Sequence, residues 1–336
     1  MGAPPVCPTC LSTSTSPKMH FSAAQAAQHF VQAKEHPDIN RKLQAHIERL
    51  WSGNVCEIRS CDDCGFGFSW PFVAGDDVFY NLAYPHVGYP TMKWEFQRTI
   101  RALRGIELSS KRVLEVGAGF GFFLDVLCEN GAVPGNIEAI EYNEGSIRRL
   151  RQRGYSTIQD DVRSSSFQSK TFDLIFLFQV VEHMDQLDAL FSRLRSFVPA
   201  GGSIFIAVPN VKRTDYQESQ GLLLDTPPNH IGRWTTRAFE AIAARHGLSL
   251  ADAETEPFDL ALFLKTDLIY SHRRRAQEFP SSFSGSARSM RRGPLRTALE
   301  VAAIAAGIPS RISHWASAYA DRYQLGQSLW VQLRIL

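Results

Sequence analysis

The stretch Val113-Leu-Glu-Val-Gly-Ala-Gly-Phe-Gly-Phe-Phe-Leu124 constrains this chain more than any other. A short apolar run suited to a buried strand reaches Gly117, Gly119 and Gly121, and a helical pattern follows. Glycine adopts positive φ and lets a ligand come against the main chain, where a side chain would keep it away. A strand that turns through three alternate glycines into a helix is therefore suited to holding a ligand on its backbone. Nicotinamide-binding folds use a similar turn, but their fingerprint needs glycine where Phe122 stands.

Around this motif the pattern alternates strand and helix, which favours a parallel sheet with crossover helices. Strands are predicted at 112–116, 137–142, 156–158, 172–178, 203–208 and 249–254, and a last one at 328–335. Helices are predicted at 121–129, 144–152, 187–197 and 236–246. The expected class is α/β: a Rossmann-like, mostly parallel seven-stranded sheet with helices on both faces. Residues 1–90 read instead as an irregular, cysteine-bearing region, interrupted by a helical stretch at 22–50 that Pro37-Asp38 divides. A helix at 92–103 leads into the sheet. Residues 257–326 read as a helical insertion that could cover an active site, with helices near 260–277, 295–306 and 312–323 and a Ser/Gly/Arg-rich spacer at 280–294. The expected domains are 1–90, 91–256, the insertion 257–326, and 327–336 as the final strand of the core.

Composition narrows the partners. Apolar residues make up 44% and charged residues 21%, with a net charge of +2, so no global field favours nucleic acid or an anionic membrane. The apolar run 172–181 is about half of the roughly 20 residues that span a bilayer. The N-terminus lacks the basic-then-apolar pattern of a secretory signal. The expected location is cytoplasmic, where thiols stay reduced and paired cysteines point to metal rather than disulfides.

Five landmarks then occur in order: Glu115-Val-Gly-Ala-Gly-Phe-Gly121, Glu141 at the end of the next strand, Gln159-Asp-Asp-Val-Arg163, Phe172-Asp-Leu-Ile-Phe-Leu-Phe-Gln-Val-Val-Glu-His183, and Pro199-Ala-Gly-Gly-Ser-Ile-Phe-Ile-Ala-Val-Pro209. In this series the chain resembles the class I methyltransferases that use S-adenosylmethionine (SAM), particularly the small-molecule branch related to ubiquinone and sugar methyltransferases. The resemblance covers residues 92–255 and the closing strand. It implies that the loop of Glu115, Gly117, Gly119 and Gly121 contacts the methionine part of SAM. It implies that Glu141 binds both ribose hydroxyls, a task for a carboxylate because it accepts two hydrogen bonds at once. It further implies that Asp161 accepts from the adenine amino group, with Asp160 the alternative, and that Gln179 joins the cofactor contacts. Enzymes that methylate exocyclic amines of nucleobases carry an Asn/Asp-Pro-Pro-aromatic element after the fourth strand. This chain has Gln179-Val-Val-Glu-His183 there, and Pro227-Pro228 comes too late to replace it.

Methyl transfer from a sulfonium is an in-line displacement, and a base is needed only when the acceptor must lose a proton. Two histidines are candidates for that base. His183 follows the fourth strand at the carboxyl edge of the sheet, where ligands bind in such folds. His230 lies in the polar loop Asp225-Thr-Pro-Pro-Asn-His-Ile-Gly-Arg-Trp234. Either imidazole titrates near neutrality. Each also has a structural alternative, as a helix cap for His183 and as packing under the proline turn for His230.

Cys7-Pro-Thr-Cys10 and Cys61-Asp-Asp-Cys64-Gly65 are two CxxC knuckles. Four thiolates suit a tetrahedral structural zinc with no open position for catalysis, and Gly65 permits the turn after the second pair. Relatives in sugar and natural-product pathways carry a similar CxxC…CxxCG region before the methyltransferase domain, which supports zinc at Cys7, Cys10, Cys61 and Cys64. Free thiols or a redox pair are the alternatives. Tyr80, Tyr84 and Tyr89 just beyond could line an acceptor pocket. The leading expectation is a SAM-dependent methyltransferase acting on an oxygen or carbon of a small-molecule acceptor, a sugar or secondary metabolite, with no membrane partner. The alternatives are an RNA or protein methyltransferase that uses the zinc-binding region for recognition, suggested by the basic runs His272-Arg-Arg-Arg275 and Arg288-Ser-Met-Arg-Arg292, and a non-catalytic SAM-binding relative. Trp330-Val-Gln-Leu-Arg-Ile-Leu336 is a candidate edge for dimerisation.

Overall fold

The computed structural model describes residues 4–84, 88, 90–163, 170–220, 225–291 and 293–335. Tyr89, Arg292 and Leu336 lie outside the described residues. Two compact units divide the chain: Met1–Val211, Asp225–Glu254 and Ser328–Leu336 form the first, and Lys212–Leu224 with Thr255–Gln327 the second.

The first unit begins with a small sheet that the sequence did not reveal. Strands β1 (Thr15–Ser22), β2 (Val55–Cys61) and β3 (Gly67–Trp70) pair antiparallel in that order. Strand β1 hides its nature because it is an edge: only one of its residues is buried, and its register with β2 shifts between Pro17 and Met19. Helices α1 (Ala23–Phe30) and α2 (Pro37–Leu50) follow the expected division. Ser22 and Gln25 form a capping box at the start of α1, and Pro37 occupies the first turn of α2, where its missing N–H costs nothing. These helices and α3 (Asp77–Ala83) bury Phe21, Leu43, Ile47, Ile58 and Phe79 together.

Helix α4 (Trp94–Ala102) leads into the large sheet. Its elements are β4 (Val113–Val116), α5 (Phe122–Glu129), β5 (Ile137–Ile140), α6 (Glu144–Gln152), β6 (Ser156–Ile158), β7 (Leu174–Phe178), α7 (Leu187–Phe197) and β8 (Ser203–Pro209). After helix α8 (Val211–Ser219) come β9 (Gly232–Arg233), α9 (Thr236–Arg245), β10 (Leu248–Thr255) and finally β11 (Ser328–Ile335). Seven strands lie in the order β6-β5-β4-β7-β8-β11-β10, parallel from β6 to β8, with β11 antiparallel to β8. Strands β4 and β7 are buried along their whole length, which is why they read as continuous apolar runs. The order reverses beside β4, with β5 on one side and β7 on the other. That reversal opens the crevice at the strand ends where such sheets hold ligands. Strand β11 is not an edge: it sits between β8 and β10, and Trp330 is fully buried. The dimerisation edge expected there is therefore filled by β10.

Strand β9 joins the small sheet by pairing with β3, which draws the segment after β8 onto the N-terminal region. Trp234, expected in a polar loop, is fully buried there, 4.4 Å from Phe239 and 4.8 Å from Phe66 between ring centroids. Trp234→Ala is expected to cost about 3–5 kcal/mol, as other large aromatic truncations in cores do. A shift of the urea midpoint checks this, and an unchanged midpoint would remove Trp234 from the core.

The second unit holds α8 after its first residue and α10 (Leu260–Glu278), α11 (Phe283–Ser289), α12 (Pro294–Gly307) and α13 (Ile312–Ala320). Helix α11 lies within the stretch expected as a spacer. Its Ser and Gly content resembles a loop, but Ser282 caps it, and Gly285 packs so closely on Pro280 that no Cβ would fit. Asp267 is buried and accepts from Arg311 and from Trp315 Nε1 at 2.8 Å. Among the described residues no helix is long and apolar enough to cross a membrane.

Candidate functional site

Gly117, Gly119 and Gly121 carry φ of 71°, 54° and 78°, in the region that disfavours side chains. A Cβ on Gly117 would meet Val180 at 2.5 Å, and one on Gly121 would meet Leu150 at 2.7 Å. Glu141, just past β5, is buried and reaches back to this loop. Its Oε2 accepts from the Gly119 N–H at 2.7 Å, and its Oε1 accepts from the N–H groups of Tyr142 and Asn143 at 2.9 Å. The two sequence landmarks are thus one hydrogen-bonded unit.

Glu115 is buried in the middle of β4, and its Oε2 has no hydrogen-bond partner among the described residues. Burial holds its carboxyl well above the ordinary carboxylate range. Asp161 is differently placed. Burial pushes its carboxyl up, but hydrogen bonds from Arg163 outweigh that and leave it lowered. Both carboxylate oxygens accept from Arg163, at 2.8–2.9 Å for the backbone N–H and Nε, and Arg163 also bridges to Asp185. Asp160 accepts from the Asp161 N–H at 2.7 Å. Gln179, at the end of β7, has φ of 58°, and its amide donates to Glu95 at 3.2 Å.

Beyond Gln179 the chain makes a single turn, Val181–His183, and the loop from Asp225 folds against it. Ile231 N–H donates to the Glu182 carbonyl at 2.9 Å, while Ser69 N–H donates to the Ile231 carbonyl at 2.9 Å. The two histidine rings lie 4.6 Å apart, edge to face. His183 Nδ1 is 2.8 Å from the Asn229 carbonyl oxygen and 3.2 Å from the Tyr80 hydroxyl. A carbonyl only accepts, so Nδ1 carries the proton and Nε2 keeps its lone pair. His230 Nδ1 is 2.7 Å from Asp225 Oδ1, which fixes its tautomer in the same way. Burial, then the neighbouring His230, push His183 down to about 3, so its ring is neutral. Burial works against charge on His230 as well, but the Asp225 carboxylate outweighs it and raises His230. Burial lifts Glu182 to about 7.

The four knuckle cysteines converge. Their sulfurs all lie within 4.8 Å of one another, with Cys7–Cys64 at 3.6 Å and Cys10–Cys61 at 3.4 Å. These separations far exceed the roughly 2.05 Å of a disulfide. They approach the edge of about 3.8 Å of a tetrahedron whose corners are about 2.3 Å from a zinc ion. Each knuckle is a tight turn: Leu11 N–H donates to the Cys7 carbonyl at 2.9 Å, and Gly65 N–H to the Cys61 carbonyl at 3.0 Å. The cluster is tied to the large sheet's side of the unit by Thr235, whose hydroxyl donates to the Cys64 carbonyl at 2.8 Å.

Residues 91–253 match a family model described as a methyltransferase domain. By that match, this stretch of the chain is a methyltransferase domain. No curated protein matches its sequence. Among solved structures, an S-adenosylmethionine-dependent methyltransferase from Mesorhizobium loti is similar over 73% of this chain and 100% of its own, at 12% identity and a TM-score of 0.44. A complex of the Haloferax volcanii Trm112 methyltransferase activator with a putative methyltransferase is similar over 72% and 89%, at 15% identity and a TM-score of 0.45. A putative sarcosine dimethylglycine methyltransferase from Galdieria sulphuraria is similar over 71% and 84%, at 13% identity and a TM-score of 0.42.

Three residues stand near the two histidines; sequence reasoning gave Glu182 and Asp225 no role, and named Tyr80 only among three tyrosines that could line an acceptor pocket. Glu182 directly precedes His183 in the chain, and its burial cannot be read from its sequence neighbours. Asp225 opened the quoted loop without a role, although its spacing of five from His230 suits a turn that folds back on itself. Tyr80 was one of three tyrosines, and only the packing of α3 brings its hydroxyl to His183. A cavity of about 280 Å³ lies within the second unit, between His272, Arg274, Arg311 and Asp267, and none of the expected site residues lines it.

Proposed function

We propose that the methyltransferase domain binds SAM across Glu115, the Gly117–Gly121 loop and Glu141, and methylates an oxygen or carbon of a small molecule such as a sugar or secondary metabolite. SAM, when bound, supplies a methyl group on a positively charged sulfur. The residues fit such a ligand. The unpartnered Oε2 of Glu115 can accept from its ammonium group, the backbone of the glycine loop is open to close approach, and Glu141 can exchange its backbone partners for ribose hydroxyls. Asp161 can take the adenine amino group only if Arg163 yields one of its hydrogen bonds, so Asp160 keeps its standing as the alternative.

The observation that carries the acceptor side is the Asp225–His230 pair facing His183 at the exit of β7. In this reading one of the two imidazoles takes the acceptor's proton. His230 is the better base because Asp225 stabilises the imidazolium that forms, as an orienting carboxylate does in other base-catalysed sites. His183, held neutral, orients the acceptor and excludes water. Cys7, Cys10, Cys61 and Cys64 would hold a structural zinc that fixes the N-terminal region, onto which β9 and the acceptor loop are pinned.

His230→Gln and His183→Gln test the acceptor side. His230→Gln is expected to lower turnover by about 100-fold or more, the usual contribution of a positioned base, while SAM binding stays unchanged. Asp225→Asn should fall between. Near-normal turnover in both histidine variants would remove the base from this pair. A panel of sugars and hydroxylated metabolites, scored by formation of S-adenosylhomocysteine, identifies the acceptor.

A further inference from the structure

We infer that Glu182, His183 and His230 form a second metal site, one that takes a single divalent transition metal and is chemically distinct from the four-thiolate cluster. One ligand atom from each residue lies within 4.8 Å of the other two, a spacing that a single ion can draw together. The orientation of each ligand is already set. His183 Nδ1 is engaged by the Asn229 carbonyl at 2.8 Å, and His230 Nδ1 by Asp225 at 2.7 Å. Both rings are thus left with Nε2 for a ligand. Histidines that bind metals are held in this way, with the second nitrogen donating to a carbonyl or carboxylate.

Glu182 supplies the independent argument. It is 1% exposed, and neither carboxylate oxygen has a hydrogen-bond partner among the described residues. Nε2 of His183 is 3.8 Å from Oε1, too far for a hydrogen bond. A buried carboxylate without a partner is costly, and a cation bound between it and the two imidazoles relieves that cost. Two imidazoles and one carboxylate suit zinc, iron(II), cobalt(II) or manganese(II), and three protein ligands leave coordination positions open. Calcium and magnesium prefer sites built from oxygen alone.

The use of those open positions rests on the reading of this region as the acceptor site. An acceptor hydroxyl bound to the metal loses its proton more readily. Its O–H bond breaks and the proton leaves to solvent water. The oxygen lone pair then attacks the methyl carbon, and the C–S electron pair returns to sulfur as S-adenosylhomocysteine leaves. The metal stays divalent throughout. In the metal-loaded protein the two histidines are ligands; without the metal, His230 is the base and His183 the orienting residue described above.

The test is a cobalt(II) titration of the full chain with its thiolate cluster already filled by zinc, alongside SAM calorimetry on the same sample. Cobalt on two imidazoles and a carboxylate gives weak visible bands, whereas cobalt on thiolates gives intense near-ultraviolet charge transfer, so the two sites are separable. One further equivalent with visible bands alone is expected. Glu182→Gln and His230→Gln should weaken it more than about 100-fold, and Asp225→Asn, one step removed from the metal, by about 10–100-fold. Absence of a further equivalent in the wild type overturns the site, as does unchanged affinity in both direct variants. SAM binding without cobalt binding leaves the methyltransferase reading standing and the metal site refuted; cobalt binding without SAM binding does the reverse.

Discussion

Glu141→Ala is expected to weaken SAM binding by about 100-fold or more, because hydrogen bonds to a charged group contribute about 1.5–3 kcal/mol each and two are lost. The same substitution also frees the loop. Glu141 Oε2 holds the Gly119 N–H at 2.7 Å, so the carboxylate orders the glycine turn that the proposed cofactor site uses. Glu141→Gln keeps one amide oxygen for Gly119 but loses the charge and one acceptor, and should fall between. Gly119→Asp is a second route to the same loss: φ of 54° disfavours any side chain, and the new charge would stand against Glu141. Calorimetry with SAM and S-adenosylhomocysteine measures all three. Micromolar binding by both Glu141→Ala and Gly119→Asp would overturn the assignment of the cofactor to this loop.

With the proposed zinc in the cysteine cluster, its removal should have a still larger effect, on stability. Structural zinc sites contribute roughly 10–16 kcal/mol of apparent binding free energy at neutral pH, and that energy is folding energy. Here the cluster does not hang at the end of the chain. Cys7, Cys61 and Cys64 are packed in one apolar core with Phe66, Phe68, Trp234 and the strands of the large sheet. Arg245 of α9 donates to the Pro8 and Thr9 carbonyls at 3.2 and 2.7 Å. Chelation or Cys64→Ser should therefore lower the unfolding midpoint of the whole first unit, beyond the knuckles themselves. Metal analysis of protein purified without chelator should find one equivalent of zinc at this cluster. Well under one equivalent, or a Cys64→Ser variant as stable as the wild type, would show that the four thiols are only packed together.

The parts of this fold that could be read from the chain are those with a local cause. The glycine loop at 117–121 is legible because three alternate residues at positive φ strongly favour glycine. The large sheet is legible because β4, β7 and β8 are buried runs separated by helices of regular period. The small sheet was not, since β1 is an exposed edge broken by Pro17 and β9 is only two residues long. Helix α11 was hidden by its Ser and Gly content, and the place of β11 by the fact that an antiparallel strand can enter a sheet at either an edge or a gap. For the candidate site, Glu115, Glu141 and the two histidines were visible as landmarks. The contacts that give them chemistry were not: Arg163 closing on Asp161, Asp225 holding His230, and Tyr80 reaching His183.

The sequence by itself determined the methyltransferase fold, the glycine turn and the pairing of cysteines into knuckles, because each is set by residues close together in the chain, through backbone sterics and hydrophobic period. Only the tertiary structure decided what stands beside Glu182. Its isolation depends on the turn after β7, on the loop from Asp225 and on the N-terminal sheet that pins that loop through Ser69 and β9. Burial is a sum over neighbours distant in sequence, and whether a carboxylate among them finds a partner is settled only when they meet.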